Sequence, residues 1–205
     1  MTRRVGTAAT HLHFVRHGES TWNAAGRVQG SYRGDDEPVL TATGRQQIAE
    51  AGRQVVGVLG LPSGARTVDL WSSDLARARE SAEVLAVALR PMGWRAIVHQ
   101  EPAWREQHLG SMEGRSAGSL VAEEPGEGRH ISEIRWGGGE SLRDVHERVG
   151  AWLAPALAAP GHLVVVSHEH TIRAALAWLR GRTWRDVDWD EPVTPGSVTT
   201  VVLGD

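Results

Sequence analysis

Short apolar runs alternate with longer stretches of helical spacing along this chain. His11-Leu12-His13-Phe14-Val15 reads as a strand, and a polar, glycine-bearing stretch follows it from Gly18 to Pro38. From Leu40 the apolar positions Ile48, Ala51, Val55 and Leu59 keep a helical period, with Thr41 or Thr43 as N-cap. Thr67 to Trp71 predicts a second strand, and Ser73-Asp74 a cap for a helix through Ala78, Ala82, Leu85 and Leu89. Ala96-Ile97-Val98 predicts a third strand. The segment from Glu101 to Glu140 is rich in Gly, Glu and Arg and has no long period beyond a short helix near Ser119. Helical spacing resumes from Leu142 to Leu157 and stops at Ala158-Ala159-Pro160-Gly161. Leu163-Val164-Val165-Val166 suits a buried parallel strand, a helix follows from about Thr171 to Leu179, and Val198 to Leu203 makes a last strand. This β-α-β-α order predicts an α/β fold whose parallel or mostly parallel sheet is covered by helices.

A length of 205 residues suits one well-buried domain, with residues 101–140 as a substrate-facing insertion. The net charge of -3 argues against a general binder of nucleic acid or of membrane surfaces. Cysteine is absent, which removes disulfides, thiolate metal sites and a cysteine nucleophile. All 22 basic residues are arginine, a bias that fits codon usage in a GC-rich genome better than any function. No apolar run reaches the ~20 residues of a membrane span. The start Met1 to Gly6 is basic but lacks an apolar signal core, so a cytoplasmic protein is expected.

Four places carry candidate chemistry. Arg16-His17-Gly18-Glu19 sits where the first strand ends in a loop, the side of open α/β sheets on which ligand sites collect. Arginine offers phosphate a planar, permanently charged fork, histidine a nitrogen nucleophile, and glycine room for close backbone approach. Val166-Ser167-His168-Glu169-His170 repeats the layout, with a helix start whose free N–H groups favour an anion. Read alone, His168 could equally cap that helix, and His170 suits a surface or packing position. His168 and His170 have too few partners to make a metal site, so no metal is expected. Arg77 falls in the first turn of a third strand-to-helix unit, where a solvated arginine paired with Asp74 or Glu80 is the ordinary alternative. Arg105-Glu106-Gln107-His108-Leu109-Gly110-Ser111-Met112-Glu113-Gly114 is a polar loop whose glutamates matter only in company.

In order and spacing these segments resemble the histidine phosphatase superfamily, which includes phosphoglycerate mutases and acid phosphatases. The resemblance runs from Arg16-His17-Gly18-Glu19-Ser20 to Ile172-Arg173-Ala174. Between them lie Arg27-Val28-Gln29-Gly30, Leu40-Thr41 with Gly44-Arg45, Ser72-Ser73-Asp74-Leu75 with Arg77-Ala78, Glu113-Gly114 and Gly138-Gly139-Glu140-Ser141. It implies a three-layer α/β/α sandwich around a mainly parallel sheet. It also implies that His17 becomes a phosphohistidine, that Arg16 and Arg77 hold the phosphoryl oxygens, and that a protonated His168 completes the pocket. Asn23 and Ser20 would add binding contacts, and Glu106 would protonate the leaving oxygen and then activate water. No cofactor is implied.

The implied activity is hydrolysis of a small-molecule phosphate ester. The alternatives are a phosphoglycerate-type mutase and a non-catalytic phospho-ligand binding protein. The partner expected is a small phosphorylated metabolite, with no nucleic acid and no membrane, and a homodimer is compatible with the sequence. Two departures stand out. Glu169-His170 replaces the small neutral residues, often Gly-Gly, that commonly follow the second histidine, and Met112 replaces a frequent aromatic. A carboxylate beside a phosphate pocket opposes the anion, so Glu169 either points outward or orients His168 or contacts the leaving group. Trp22, Tyr32, Trp104 and Trp136 are candidates for an entrance that favours a ring or apolar leaving group, although nine tryptophans cannot all be pocket walls. The acidic stretch from Ser31 to Glu37 reads as a solvated loop, with a gate as the alternative.

Overall fold

The computed structural model describes residues 10–60, 64, 66–119, 128–158 and 161–204. The basic start and the helix stop at Ala159-Pro160 lie outside them. Strand β1 (Thr10–Arg16) leads through a one-turn helix α1 (Thr21–Ala24) to α2 (Ala42–Leu59), β2 (Arg66–Ser72), α3 (Ala76–Leu89) and β3 (Trp94–Gln100). Helix α4 (Leu142–Ala156), β4 (Gly161–Ser167), α5 (Glu169–Leu179) and β5 (Val198–Leu203) complete the order. The strands line up as β3-β2-β4-β1-β5. The β2–β3, β2–β4 and β1–β4 pairings are parallel, and β5 closes one edge antiparallel to β1. The sheet is therefore mainly parallel, as expected.

Both faces of the sheet are covered, because the central strands are apolar on both sides. Leu12, Phe14 and Val165 pack against Val145, Val149 and Leu153 of α4 and against Ile172 and Leu176 of α5. On the opposite face Val15, Leu70, Val164 and Val166 meet Ile48, Ala51 and Val55 of α2 and Ala82, Leu85 and Leu89 of α3. Alternation along each strand sends successive side chains to opposite layers. Burying each large aliphatic group contributes about 1.5–3 kcal/mol. Among the described residues, no helix is long and apolar enough to cross a membrane.

The structure refines several helix ends. Thr41 rather than Thr43 caps α2, its hydroxyl accepting from the Gly44 N–H. Ser73-Asp74 does not cap α3: Leu75 holds the N-cap position without a side-chain bond. Glu37 supplies the missing acceptor from a distant loop, taking the Ala76 N–H at 2.8 Å. Helix α5 begins at Glu169, two residues earlier than its apolar period suggests, because His168 occupies the N-cap position. The segment 101–140 carries only short 3₁₀ turns where it is described, at Pro102–Trp104, Gly110–Met112, Ala117–Ser119, Ile131–Glu133 and Trp136–Gly138.

Candidate active site

The central strands β1 and β4 are parallel neighbours in register, Arg16 opposite Ser167, so their exits carry His17 and His168 to the same edge of the sheet. Backbone bonds hold these exits together: His17 N–H donates to the Ser167 carbonyl at 2.9 Å and Ser73 N–H to the Val166 carbonyl at 3.0 Å. The chain leaves β1 toward α2 and leaves β4 toward α5, on opposite faces. A crevice at such a reversal is the usual ligand position in open parallel sheets.

His17, Arg77 and His168 are all buried there. The His17 Nδ1 lies 2.7 Å from the Gly18 carbonyl oxygen, an acceptor, so that nitrogen carries the hydrogen and Nε2 keeps its lone pair. Arg77 Nε donates to His17 Nε2 at 3.2 Å, and its Nη2 donates to the Gly30 carbonyl at 2.7 Å. Arg77 is thus no solvated helix arginine. Asp74 is held instead by Arg105 and Arg33, and Glu80 by Arg45. The His17 and His168 rings stand 5.0 Å apart between centroids, and His168 Nε2 meets the Ser73 hydroxyl at 2.9 Å.

Burial, then Arg77 and Arg16, push the His17 pKa well below its ordinary value. Burial, followed by Arg77, His17 and Arg16, does the same to His168. Among these cations and without an anion, the protonated form of His168 is disfavoured. Burial lowers the Arg77 pKa to about 10 against the pull of Glu106, Glu37 and Glu113, which leaves the guanidinium charged at neutral pH.

Glu106 sits against the first turn of α5. Its Oε1 accepts from the Gln107 N–H at 2.9 Å and the Thr171 hydroxyl at 3.3 Å, and its Oε2 from the His170 N–H at 3.4 Å. Burial pulls its pKa upward more strongly than any other single influence. His170, the Gln107 N–H, Arg77 and Arg16 together outweigh it and hold the carboxyl below the ordinary value.

Other candidates are placed differently. Ser20 caps α1 in a reciprocal box with Asn23, and its hydroxyl also donates to Gln29 Oε1 at 2.6 Å. Ser20 is therefore committed to the loop behind His17, and the Asn23 carbonyl oxygen is spent in the same cap. Glu169 neither orients His168 nor points outward. Its carboxylate bridges Arg16 Nη1 at 2.6 Å and Arg173 Nη2 at 3.2 Å. Trp104 is fully buried in the α4–α5 core, and Trp22 packs on Tyr32 and beneath Arg27. In the acidic stretch Asp36 pairs with Arg27 and Glu37 caps α3, so both are structural. Glu113 is structural too, accepting from the Ser31 and Leu109 N–H groups.

Sequence reasoning passed over three supports. Ser73 holds His168, Gln107 links Glu106 to His170, and the carbonyls of Val193, Asp188 and Glu191 anchor Arg16 and Arg173. The last group comes from a segment with no periodicity to announce it.

The profile of the histidine phosphatase superfamily (branch 1) matches residues 12–205. The chain belongs to that superfamily. The probable phosphoglycerate mutase GpmB of Salmonella paratyphi B is 35% identical over 176 residues, covering 83% of this chain and 74% of the relative. Among solved structures, the mycobacterial glucosyl-3-phosphoglycerate phosphatase Rv2419c in complex with VO3 aligns with a TM-score of 0.74 at 25% identity, covering 93% of this chain and 90% of that one. TTHB049 from Thermus thermophilus aligns at 30% identity with a TM-score of 0.64, over 95% of this chain and 97% of its own. Histidine phosphatases thus share the three-layer fold, and the neighbours include both a phosphatase and a probable mutase.

Proposed function

We propose that the protein is a phosphomonoesterase that works through a phosphohistidine on His17. One observation carries this reading. Arg16 Nε, Arg77 Nη1 and His168 Nδ1 are buried without a hydrogen-bond partner, and Arg77 and His168 stand beside His17, whose Nε2 accepts only from Arg77 Nε among the described residues. Leaving two buried guanidinium N–H groups unpaired costs about 1–3 kcal/mol each, or more, since they are charged. A tetrahedral oxyanion seated beside Nε2 would satisfy them and offset their mutual repulsion.

The chemistry balances as two transfers. The lone pair on His17 Nε2 attacks phosphorus, the N–P bond forms, and the bond to the ester oxygen breaks. Glu106 gives its proton to that oxygen and releases the alcohol. Water then attacks phosphorus, yielding a proton to the Glu106 carboxylate, and the N–P bond breaks to regenerate His17 and release inorganic phosphate. Glu106 is held ionised by its surroundings. A bound phosphoryl dianion reverses that balance, since it screens Arg16 and Arg77 from the carboxyl and repels its charge. The same dianion raises the His168 pKa, so the proton expected there arrives with the ligand.

The 35% identity to a probable phosphoglycerate mutase favours a second reading, return of the phosphoryl group to another hydroxyl. Rapid quenching during turnover separates the readings. The phosphatase reading predicts an acid-labile, alkali-stable phosphoenzyme that is lost in His17→Ala, with inorganic phosphate as the product. Interconversion of 2- and 3-phosphoglycerate without phosphate release would make it a mutase. Tight ester binding with no phosphoenzyme would make it a binding protein.

A further inference from the structure

Beside the N-terminus of α5 lies a cavity of about 430 Å³, within the ~300–1,000 Å³ typical of small-molecule sites. Its walls are mostly apolar, with Leu109, Ile131, Trp136, Trp184 and Trp189 among them. Gln107 and His170 also line it. These two flank the carboxyl of Glu106: their N–H groups donate to its two oxygens, and His170 Nδ1 lies 2.9 Å from Gln107 Oε1. The cavity therefore adjoins the group that must reach the leaving oxygen.

The side chains of Gln107, His130, Ser132, His170 and Arg185 each have a partner, while the Trp184 Nε1–H is buried without one. Arg185, the one arginine lining it among the described residues, is held by Glu133 at 2.8 Å. His130 Nδ1 is within 2.6 Å of the Ser132 hydroxyl. A carboxylate or a second phosphate would find no uncommitted guanidinium in this wall, and sugar hydroxyls would face indole rings. Trp189 is 54% exposed and Ile131 51% exposed, an apolar rim that solvent alone does not favour. Trp189 is nonetheless positioned, edge-on to His170 at 5.4 Å and under the Arg173 guanidinium at 5.5 Å.

We infer that this cavity receives the leaving group, and that the substrate is a phosphate monoester of an apolar, ring-bearing alcohol. The inference rests on the phosphomonoesterase reading and specifies its substrate class. Apolar walls gain from each methylene removed from water and lose when a polar group must shed its hydration unpaired. Discrimination against polyol and acidic esters follows.

The test compares 3-phenylpropyl phosphate, propyl phosphate, glycerol 1-phosphate and 3-phosphoglycerate, all esters of alkyl oxygens, so that the leaving oxygens are chemically comparable. The expected kcat/KM is at least about tenfold higher for the phenylpropyl ester than for the propyl ester, and lower still for the two polar esters. Trp189→Ala and Trp136→Ala should each shrink the phenylpropyl-to-propyl ratio at least threefold, mainly through KM. Trp189 is half exposed, so its truncation leaves both cores intact. Equal rates for the phenylpropyl and propyl esters, a preference for 3-phosphoglycerate, or tryptophan variants that slow both alkyl esters alike would overturn the inference. In those cases a phosphoenzyme at His17 would leave the phosphatase reading standing. No phosphoenzyme with any of the four esters would overturn both.

Discussion

Glu169 is a single carboxylate placed where a phosphate site should least tolerate one. It accepts Arg16 at 2.6 Å and Arg173 at 3.2 Å, and Arg16 Nη1 also donates to the Val193 carbonyl at 2.6 Å. One edge of the Arg16 guanidinium is thereby fixed, and its Nε is buried without a partner. In the proposed phosphate site two effects would oppose each other: the negative charge would weaken anion binding, and the anchor would pre-organise a cation for the anion. Two substitutions separate them. Glu169→Gln keeps the shape and removes the charge, so inorganic phosphate should inhibit about three- to tenfold more tightly, equivalent to roughly 1 kcal/mol. Glu169→Ala removes the anchor, and kcat/KM should fall on the order of tenfold as Arg16 loses its orientation. Phosphate inhibition constants and kcat/KM indistinguishable from wild type in both variants would mean the carboxylate does not act on the site. The pairing with Arg173 has the i,i+4 spacing of a helical acid–arginine pair, but it depends on the helix beginning at Glu169 rather than at Thr171. The pairing with Arg16 was not legible, because it depends on β1 and β4 being neighbours in register.

At the scale of elements, the loop after His17 is held by backbone-to-backbone contact with α2. Thr41 N–H donates to the Glu19 carbonyl at 2.9 Å, and Glu19 N–H donates to Gln47 Oε1 at 2.8 Å. A Cβ at Gly44 would collide with the Glu19 carbonyl oxygen, and one at Gly18 with the Gly44 carbonyl. Gly44→Ala should therefore destabilise by about 1–3 kcal/mol in urea unfolding, and lower kcat/KM further by displacing His17. Gly57→Ala on the same helix meets nothing within 4 Å and should stabilise by ~0.5–1 kcal/mol through helix propensity. If Gly44→Ala matched Gly57→Ala in stability and in kcat/KM, the close approach would not matter. The helix periods and their apolar faces were readable for α2, α3, α4 and α5, because tertiary packing follows the same spacing. The start of α3 was not, since its capping carboxylate, Glu37, arrives from 39 residues away in sequence. Likewise Trp184 and Trp189, central to the apolar cavity, lie in a connection without any period.

Across the whole molecule, the fold buries imidazoles at both ends of its central strands. At the entry of β1 and β4, His13 Nε2 lies 3.0 Å from His162 Nδ1, and the rings of His11, His13 and His162 stack. His13 Nδ1 lies 3.1 Å from the Thr200 hydroxyl on β5. Burial, with His162 and His11 adding to it, lowers the His13 pKa to about 4. At the exits, His17 and His168 are lowered in the same direction. An unfolded chain takes up these protons near 6.5, so below that value it binds more protons than the folded state. The stability contributed by neutral histidines is complete above about pH 6.5 and is lost as pH falls toward 4. Carboxylates with lowered values, such as Asp74 and Asp144, lose their contribution only below the ordinary carboxylate range. Between pH 7 and 5 the histidines therefore dominate the slope. The melting temperature should fall over that interval at constant ionic strength. His13→Phe keeps an aromatic ring in the stack and removes one titrating group, so its melting temperature should fall less steeply. Both polar partners of His13 sit close enough to solvent to be rehydrated, Thr200 being exposed and His162 partly so. A variant whose slope equals that of wild type would show that His13 does not set the acid limb. The limb would then belong to His162, which burial and His11 also lower, and to His17 and His168 at the other end of the same two strands.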